Sequence, residues 1–193
     1  MRVIAGSARR LQLVTPPGMN TRPTTDRIKE TLFNMLQMHL GGSVFLDLFA
    51  GSGGIGIEAL SRGAKHACFA ENAKEALTCI KANLNHTKLA DRATVYGMDV
   101  SAALTRMQTE KRRFDIVFMD PPYGRGLEVS ALSALARFGL LAEDAIVIVE
   151  TALGEQIEGL ESMGYHVDRI KEYKTNQHMF LSYDGGTAGA GAI

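Results

Sequence analysis

"LDLFAGSGGIGIEAL", residues 46–60, reads as a short apolar strand, a glycine turn and the start of a helix. Gly51, Gly53 and Gly54 let the backbone turn tightly and approach a ligand closely. Working outward, apolar runs continue to alternate with helical patterns. Strand-like segments are "VFLDLF" (44–49), "HACFAE" (66–71), "ATVYG" (93–97), "FDIVFMD" (114–120), "AIVIVE" (145–150), "HVDRIK" (166–171) and "HMFLSY" (178–183). Between the first five lie helical stretches beginning near Gly54, Ala73, Ser101 and Leu127. Such alternation predicts βαβ units and a mostly parallel sheet with right-handed crossovers. Ligands of such sheets bind beyond the carboxyl ends of the strands. Asp47, Glu71, Asp99 and Asp120 all fall there.

Upstream, "MRVIAGSARRLQLV" has the pattern of a small hairpin turning at Gly6-Ser7. In "TRPTTDRIKETLFNML", Thr24 or Thr25 is placed to cap a helix, with Ile28, Leu32, Phe33 and Leu36 at helical spacing. The expected organisation is a basic extension over 1–42, one α/β domain over 43–184 and a Gly/Ala-rich loose tail over 185–193.

With 46% apolar and 22% charged residues in 193, the composition is that of an ordinary globular protein. No apolar run approaches membrane-spanning length, and the N-terminus has no secretory apolar core, so a cytoplasmic home and no membrane partner are expected. Cys68 and Cys79 lack CxxC spacing and the five histidines are scattered, which points to neither a disulfide framework nor a metal site. Net charge is zero but uneven. Residues 1–42 carry Arg2, Arg9, Arg10, Arg22, Arg27 and Lys29 against Asp26 and Glu30, a net +4, leaving −4 on the remainder. A basic arm on an acidic body suits a polyanionic partner as readily as it suits a merely solvated arm.

Residues 51–56 satisfy G-x-G-x-x-G formally, yet a lone match is weak. Asp47, four residues before Gly51, is a poor neighbour for a pyrophosphate. No Gly-Lys-Ser/Thr follows, which excludes a P-loop. An acid there better suits a cationic ligand, and S-adenosylmethionine brings an ammonium, a sulfonium and no phosphate. Glu71 stands where an acid takes ribose hydroxyls, and Asp99 where it accepts from an adenine amine. Any one of these acids alone would be read as solvated. Three at successive strand ends beside a glycine loop favour the ligand.

The fourth acid opens "DPPY". Pro121 and Pro122 remove two backbone donors, so the strand ends. An exocyclic amine on a nucleobase is a poor nucleophile because its lone pair is delocalised. Asp120 and the Pro121 carbonyl supply two acceptors for its hydrogens, and Tyr123 offers a stacking face. A strand stop alone would need neither the acid nor the aromatic.

These residues resemble the amino-methyltransferases with an (Asp/Asn)-Pro-Pro-aromatic motif. Within them, "TRPTTDRIKETLFN" (21–34), "LDLFAGSGGIGIEALSRGA" (46–64) and "FMDPPY" (118–123) resemble the RsmD family of 16S rRNA guanine-N2 methyltransferases. The resemblance implies a Rossmann-like class I methyltransferase, with a seven-stranded, mostly parallel sheet carrying one antiparallel strand. It implies a cofactor site at Asp47, Phe49, Gly51, Gly53, Glu71 and Asp99, and catalysis by Asp120, Pro121 and Tyr123. The implied substrate is guanine 966 of 16S rRNA in a partly assembled 30S subunit, acted on by a monomer. Arg2, Arg9, Arg10 and Arg22 would meet RNA phosphates. The chain departs from the family in its hairpin, where "ARRLQL" places Leu11 and Gln12 at positions usually more basic, and in a loosely matching closing strand. A DNA adenine-N6 methyltransferase shares this chemistry but needs a target-recognition domain for which 193 residues leave no room. An RNA-binding assembly protein on the same fold would have no need of Asp120, and a small-molecule methyltransferase no need of the basic arm.

Overall fold

The computed structural model describes residues 1–16 and 26–185. Arg22 and the capping threonines Thr24 and Thr25 lie outside the described residues, as does the tail from 186 onward.

The first helix, α1 (Asp26–Leu40), buries Leu32, Phe33, Leu36 and Leu40 along one stripe. Lys29 lies on the same stripe and is fully buried, which the charge pattern did not anticipate. From there the chain alternates strand and helix as expected. It runs through β1 (Val44–Leu48), α2 (Gly54–Ser61), β2 (His66–Glu71), α3 (Lys74–Thr87) and β3 (Ala93–Gly97), then α4 (Val100–Thr109), β4 (Phe114–Met119), α5 (Leu127–Arg137) and β5 (Leu141–Ala152). A closing pair follows, β6 (Tyr165–Glu172) and β7 (Asn176–Tyr183). The seven strands form one sheet in the order β3-β2-β1-β4-β5-β7-β6, parallel except for antiparallel β7. Each inner strand is apolar on both faces, as burial under helices requires. Along β1, Phe45 faces the layer that holds α1 and α2, while Leu46 and Leu48 face α4 and α5.

Several boundaries differ from the sequence reading. Phe49 leaves β1 with a φ of 60°, and Asp120 lies just past β4. β5 begins four residues early, at Leu141, carried through an irregular register between Phe114 and Ile116. The N-terminal hairpin forms as expected, with one bridge, Arg2 to Gln12, and cross-arm bonds from Val3 to Leu11, Arg10 to Val3 and Leu13 to Met1, and its turn is bonded to α2 as well. Ile4 and Ala5 N–H donate to the Glu58 carboxylate at 2.8 and 3.0 Å, and Ser7 N–H to the Ser61 carbonyl at 2.8 Å. Gly6 makes this possible: a Cβ there would meet the Ser61 carbonyl oxygen at 1.9 Å. Val3, Ala8 and Leu13 therefore share one core with Phe45, Ile57 and Leu60.

Candidate active site

Strand order reverses between β1 and β4, the place where such sheets open a crevice. Leu48 pairs with Met119, so the glycine loop and Asp120 leave the sheet side by side. Leu48 also pairs with Ala70, which brings Glu71 beside the same loop. Four acids thus ring the carboxyl edge of β1, β2, β3 and β4.

Three of these acids, Asp47, Glu71 and Asp99, are engaged with backbone. Asp47, 2% exposed, accepts from Gly56 N–H at 2.8 Å and so pins the first turn of α2 to its strand. Burial, with Asp120 and Glu71 nearby, pushes its carboxyl well above the ordinary range against the pull of that bond. A cationic ligand would relieve this. Glu71 Oε2 accepts from Gly51 N–H, and Oε1 from Asn72 and Ala73 N–H, all at 2.8 Å. It shapes the loop and keeps further lone pairs for hydroxyls. Asp99 caps α4, its Oδ1 accepting from Ala102 N–H at 3.0 Å.

The loop itself is cut for close approach. Gly51 and Gly53 have φ of 54° and 78°, where a side chain is disfavoured. A Cβ on Gly51 would point into open space, leaving the backbone accessible, whereas one on Gly56 would strike Phe69 at 2.3 Å. Gly56 is therefore a packing glycine that sets α2 hard against β2. Phe49, half-buried, holds the left-handed turn between strand and loop, a strained conformation for a non-glycine residue. An open cradle, a ring of carboxylates and, among the described residues, no basic side chain bonded to the loop suit a cationic, phosphate-free cofactor such as S-adenosylmethionine.

Asp120 faces the crevice, with burial by its surroundings and the Glu150 carboxylate raising it to about 7. Asp120 itself is open to solvent. Pro121 is buried, and among the described residues its carbonyl accepts no hydrogen bond. Tyr123 is 46% exposed. Its hydroxyl is raised by burial and by Glu150, Asp120 and Glu155.

The basic residues are dispersed. Arg2 pairs with Asp26 at 2.7 Å on the surface. Lys29 is buried against Glu58 at 3.2 Å, and burial lowers its pKa in spite of that partner. Arg9 and Arg10 are exposed on the turn beside Ser61, the far end of α2 from the glycine loop. Glu150, at the end of β5, escaped notice, though the strand-end rule that found the other acids applies to it equally. His178 and Asn176, which bond to it, are joined to the site only by the antiparallel pairing of β5 and β7.

Three comparisons with known proteins agree. The model of the family described as conserved hypothetical protein 95 matches residues 1–184. "Putative rRNA methyltransferase YlbH" of Bacillus subtilis is 39% identical over 172 residues, covering 89% of this chain and 92% of that one. "Ribosomal RNA small subunit methyltransferase D" of Haemophilus influenzae is 39% identical over 153 residues, 78% of each. A solved structure, "Putative methyltransferase yhhF" from Escherichia coli, superposes with a TM-score of 0.80 at 33% identity, covering 95% of this chain and 97% of that one.

Proposed function

The chain belongs to this family, the RsmD family, and on that premise we propose that it methylates 16S rRNA at the exocyclic N2 amine of a guanine, with S-adenosylmethionine as donor. The observation that carries the reading is the Leu48–Met119 pairing, which sets the glycine loop beside Asp-Pro-Pro-Tyr. By its similarity to relatives named as small-subunit enzymes, its target would be guanine 966 within a partly assembled 30S subunit.

In this reading S-adenosylmethionine, when bound, supplies a methyl group made electrophilic by its sulfonium. Asp47 would offset the cofactor's ammonium, Glu71 would take the ribose hydroxyls on its remaining lone pairs, and Asp99 would accept from the adenine amine. Asp120, ionised, and the Pro121 carbonyl accept the two hydrogens of the guanine amine and draw the nitrogen toward tetrahedral geometry. Tyr123 stacks on the extruded base. With a midpoint near 7, Asp120 is also matched to the proton that the methylated nitrogen sheds. Catalysis is thus chiefly positioning and electrostatics.

The test incubates the protein with methyl-labelled S-adenosylmethionine and, separately, naked 16S rRNA, 30S particles lacking the modification, and unmethylated DNA. Label recovered as N2-methylguanine from particles, and lost in Asp120→Ala, is the expected result. Label in DNA as N6-methyladenine would replace the substrate. RNA binding without any transfer would put the non-catalytic reading in its place.

A further inference from the structure

Behind the Asp120–Tyr123 motif lies a buried polar cluster that the mechanism above leaves unused. Glu150 stands directly opposite His178 across the antiparallel β5–β7 pair. Its Oε1 accepts from Asn176 Nδ2 at 2.6 Å and its Oε2 pairs with His178 Nε2 at 3.0 Å. The Tyr173 hydroxyl lies 3.4 Å from Nδ1 of the same imidazole, whose ring is packed edge-on between Phe118 and Tyr173. In a neutral ring, donation from Nε2 leaves Nδ1 as acceptor, so Tyr173 donates and the tautomer is fixed. His178 is fully buried and Glu150 only 7% exposed.

Such a carboxylate is costly to bury, and apolar residues would fill the space at least as stably. Its placement has a different consequence. Phe118, two residues before Asp120, packs on the His178 ring. Met119 pairs with Val149 in the parallel β4–β5 register, so Asp120 and Glu150 follow side by side at the carboxyl edge. There Glu150 opposes the ionisation of Asp120 and of the Tyr123 hydroxyl. The groups around the motif are Asp47 from β1, Glu150 from β5, Glu155 beyond it, and His178 and Tyr173 from the β7 side. Of these only His178 can carry positive charge.

Resting on the methyl-transfer reading, we propose that Glu150 is a positioning residue for the Asp120–Tyr123 motif. Held by Asn176 and His178, it places a carboxylate in a set position beside Asp120 at the carboxyl edge of the β4–β5 pair.

The test uses the full chain with 13C-labelled aspartate and follows the Asp120 carboxyl by NMR titration, alongside the pH profile of methyl transfer. In Glu150→Gln the Asp120 midpoint is expected to fall by about one pH unit. The acid limb of kcat should move to lower pH with it, while the KM for S-adenosylmethionine stays within about twofold. His178→Gln, which retains a donor toward Glu150, should leave the Asp120 midpoint where it is. An equal drop at every pH in Glu150→Gln, with Asp120 unmoved, would reduce Glu150 to a structural residue and overturn the proposal. Should Glu150→Gln fail to fold, Glu150→Met decides, being similar in size and uncharged: an Asp120 midpoint about one pH unit lower supports the placement, and an unmoved midpoint sinks it. The titration needs no RNA. A chain that methylates nothing while Glu150→Gln still moves Asp120 would defeat the methyl-transfer reading and keep the positioning. A chain that methylates with Asp120 unmoved would do the reverse.

Discussion

Asp120 is where reactivity is set against stability. Its carboxyl titrates near 7 in the folded chain, against 3.8 for an unperturbed aspartate. Between those values the folded state binds more protons than the unfolded one. Stability therefore falls as pH rises through that window, and the loss is complete above about pH 7. Asp120→Asn removes the penalty. Its melting temperature should exceed that of the wild type at about pH 8, with the advantage vanishing below about pH 4. Melting curves that differ by the same amount at every pH would rule this out. Asp120→Ala should lower methyl transfer about 100-fold or more, read from the labelled-donor assay. Gly56 gives a purely steric counterpart. A methyl there meets the Phe69 ring at 2.3 Å, and the ring is fully buried with no open space to retreat into. Gly56→Ala should cost about 1–3 kcal/mol in urea unfolding. Gly51→Ala has open space in front of it and pays mainly for its positive φ, so any excess loss of cofactor affinity there marks the ligand-facing side of the loop.

Among the elements, α2 is the anchor. All eight of its residues are buried. Its first turn bonds to Asp47, and its last two turns hold the N-terminal segment through Glu58 and Ser61. Glu58 gathers Lys29, Arg62 and two backbone N–H groups around one carboxylate. Glu58→Ala would leave a buried ammonium and two orphaned donors, a loss of about 3–5 kcal/mol. Residues 1–16 should then become the first segment cut by protease. Global unfolding without earlier cleavage would show that the segment is held by packing alone. Sequence reading reached the strand and helix order here because local periodicity encodes it. It did not reach Glu58 as a hub. A single glutamate in "GIGIEAL" looks like a solvated position until α1 and the N-terminal segment close over it. Lys29 was nearer to legible. It precedes Leu32, Phe33 and Leu36 by three, four and seven residues, so the helical stripe itself passes through the lysine.

For the molecule as a whole, the parallel sheet and its carboxyl-edge site were readable because both arise from local strand–loop–helix units. The closing antiparallel strand was expected from the family resemblance, but the side-chain cluster it creates was not. Glu150, Asn176 and His178 meet only through an antiparallel register fixed by the full sheet. The charge asymmetry was readable in sum and misleading in detail. Of the basic residues counted in the first 42, Lys29 is neutralised inside the core and Arg2 is paired with Asp26. What remains exposed on the N-terminal turn is Arg9 and Arg10, neither ion-paired with a described residue. They sit beside Ser61 at the C-terminal end of α2, one helix length or about 12 Å from the glycine loop. A base held at Asp120 and a phosphate held at this turn cannot then belong to one nucleotide, so the pair would grip flanking backbone. Reversing both charges should weaken RNA binding whatever the sequence offered. The slope of log affinity against log salt should flatten by about 1.4 to 1.8, since each phosphate contact contributes about 0.7 to 0.9. Melting temperature and the KM for S-adenosylmethionine should hold, because neither side chain touches the core or the loop. An unchanged salt slope in the double reversal would remove the turn from the RNA interface and leave its two arginines as solvated surface.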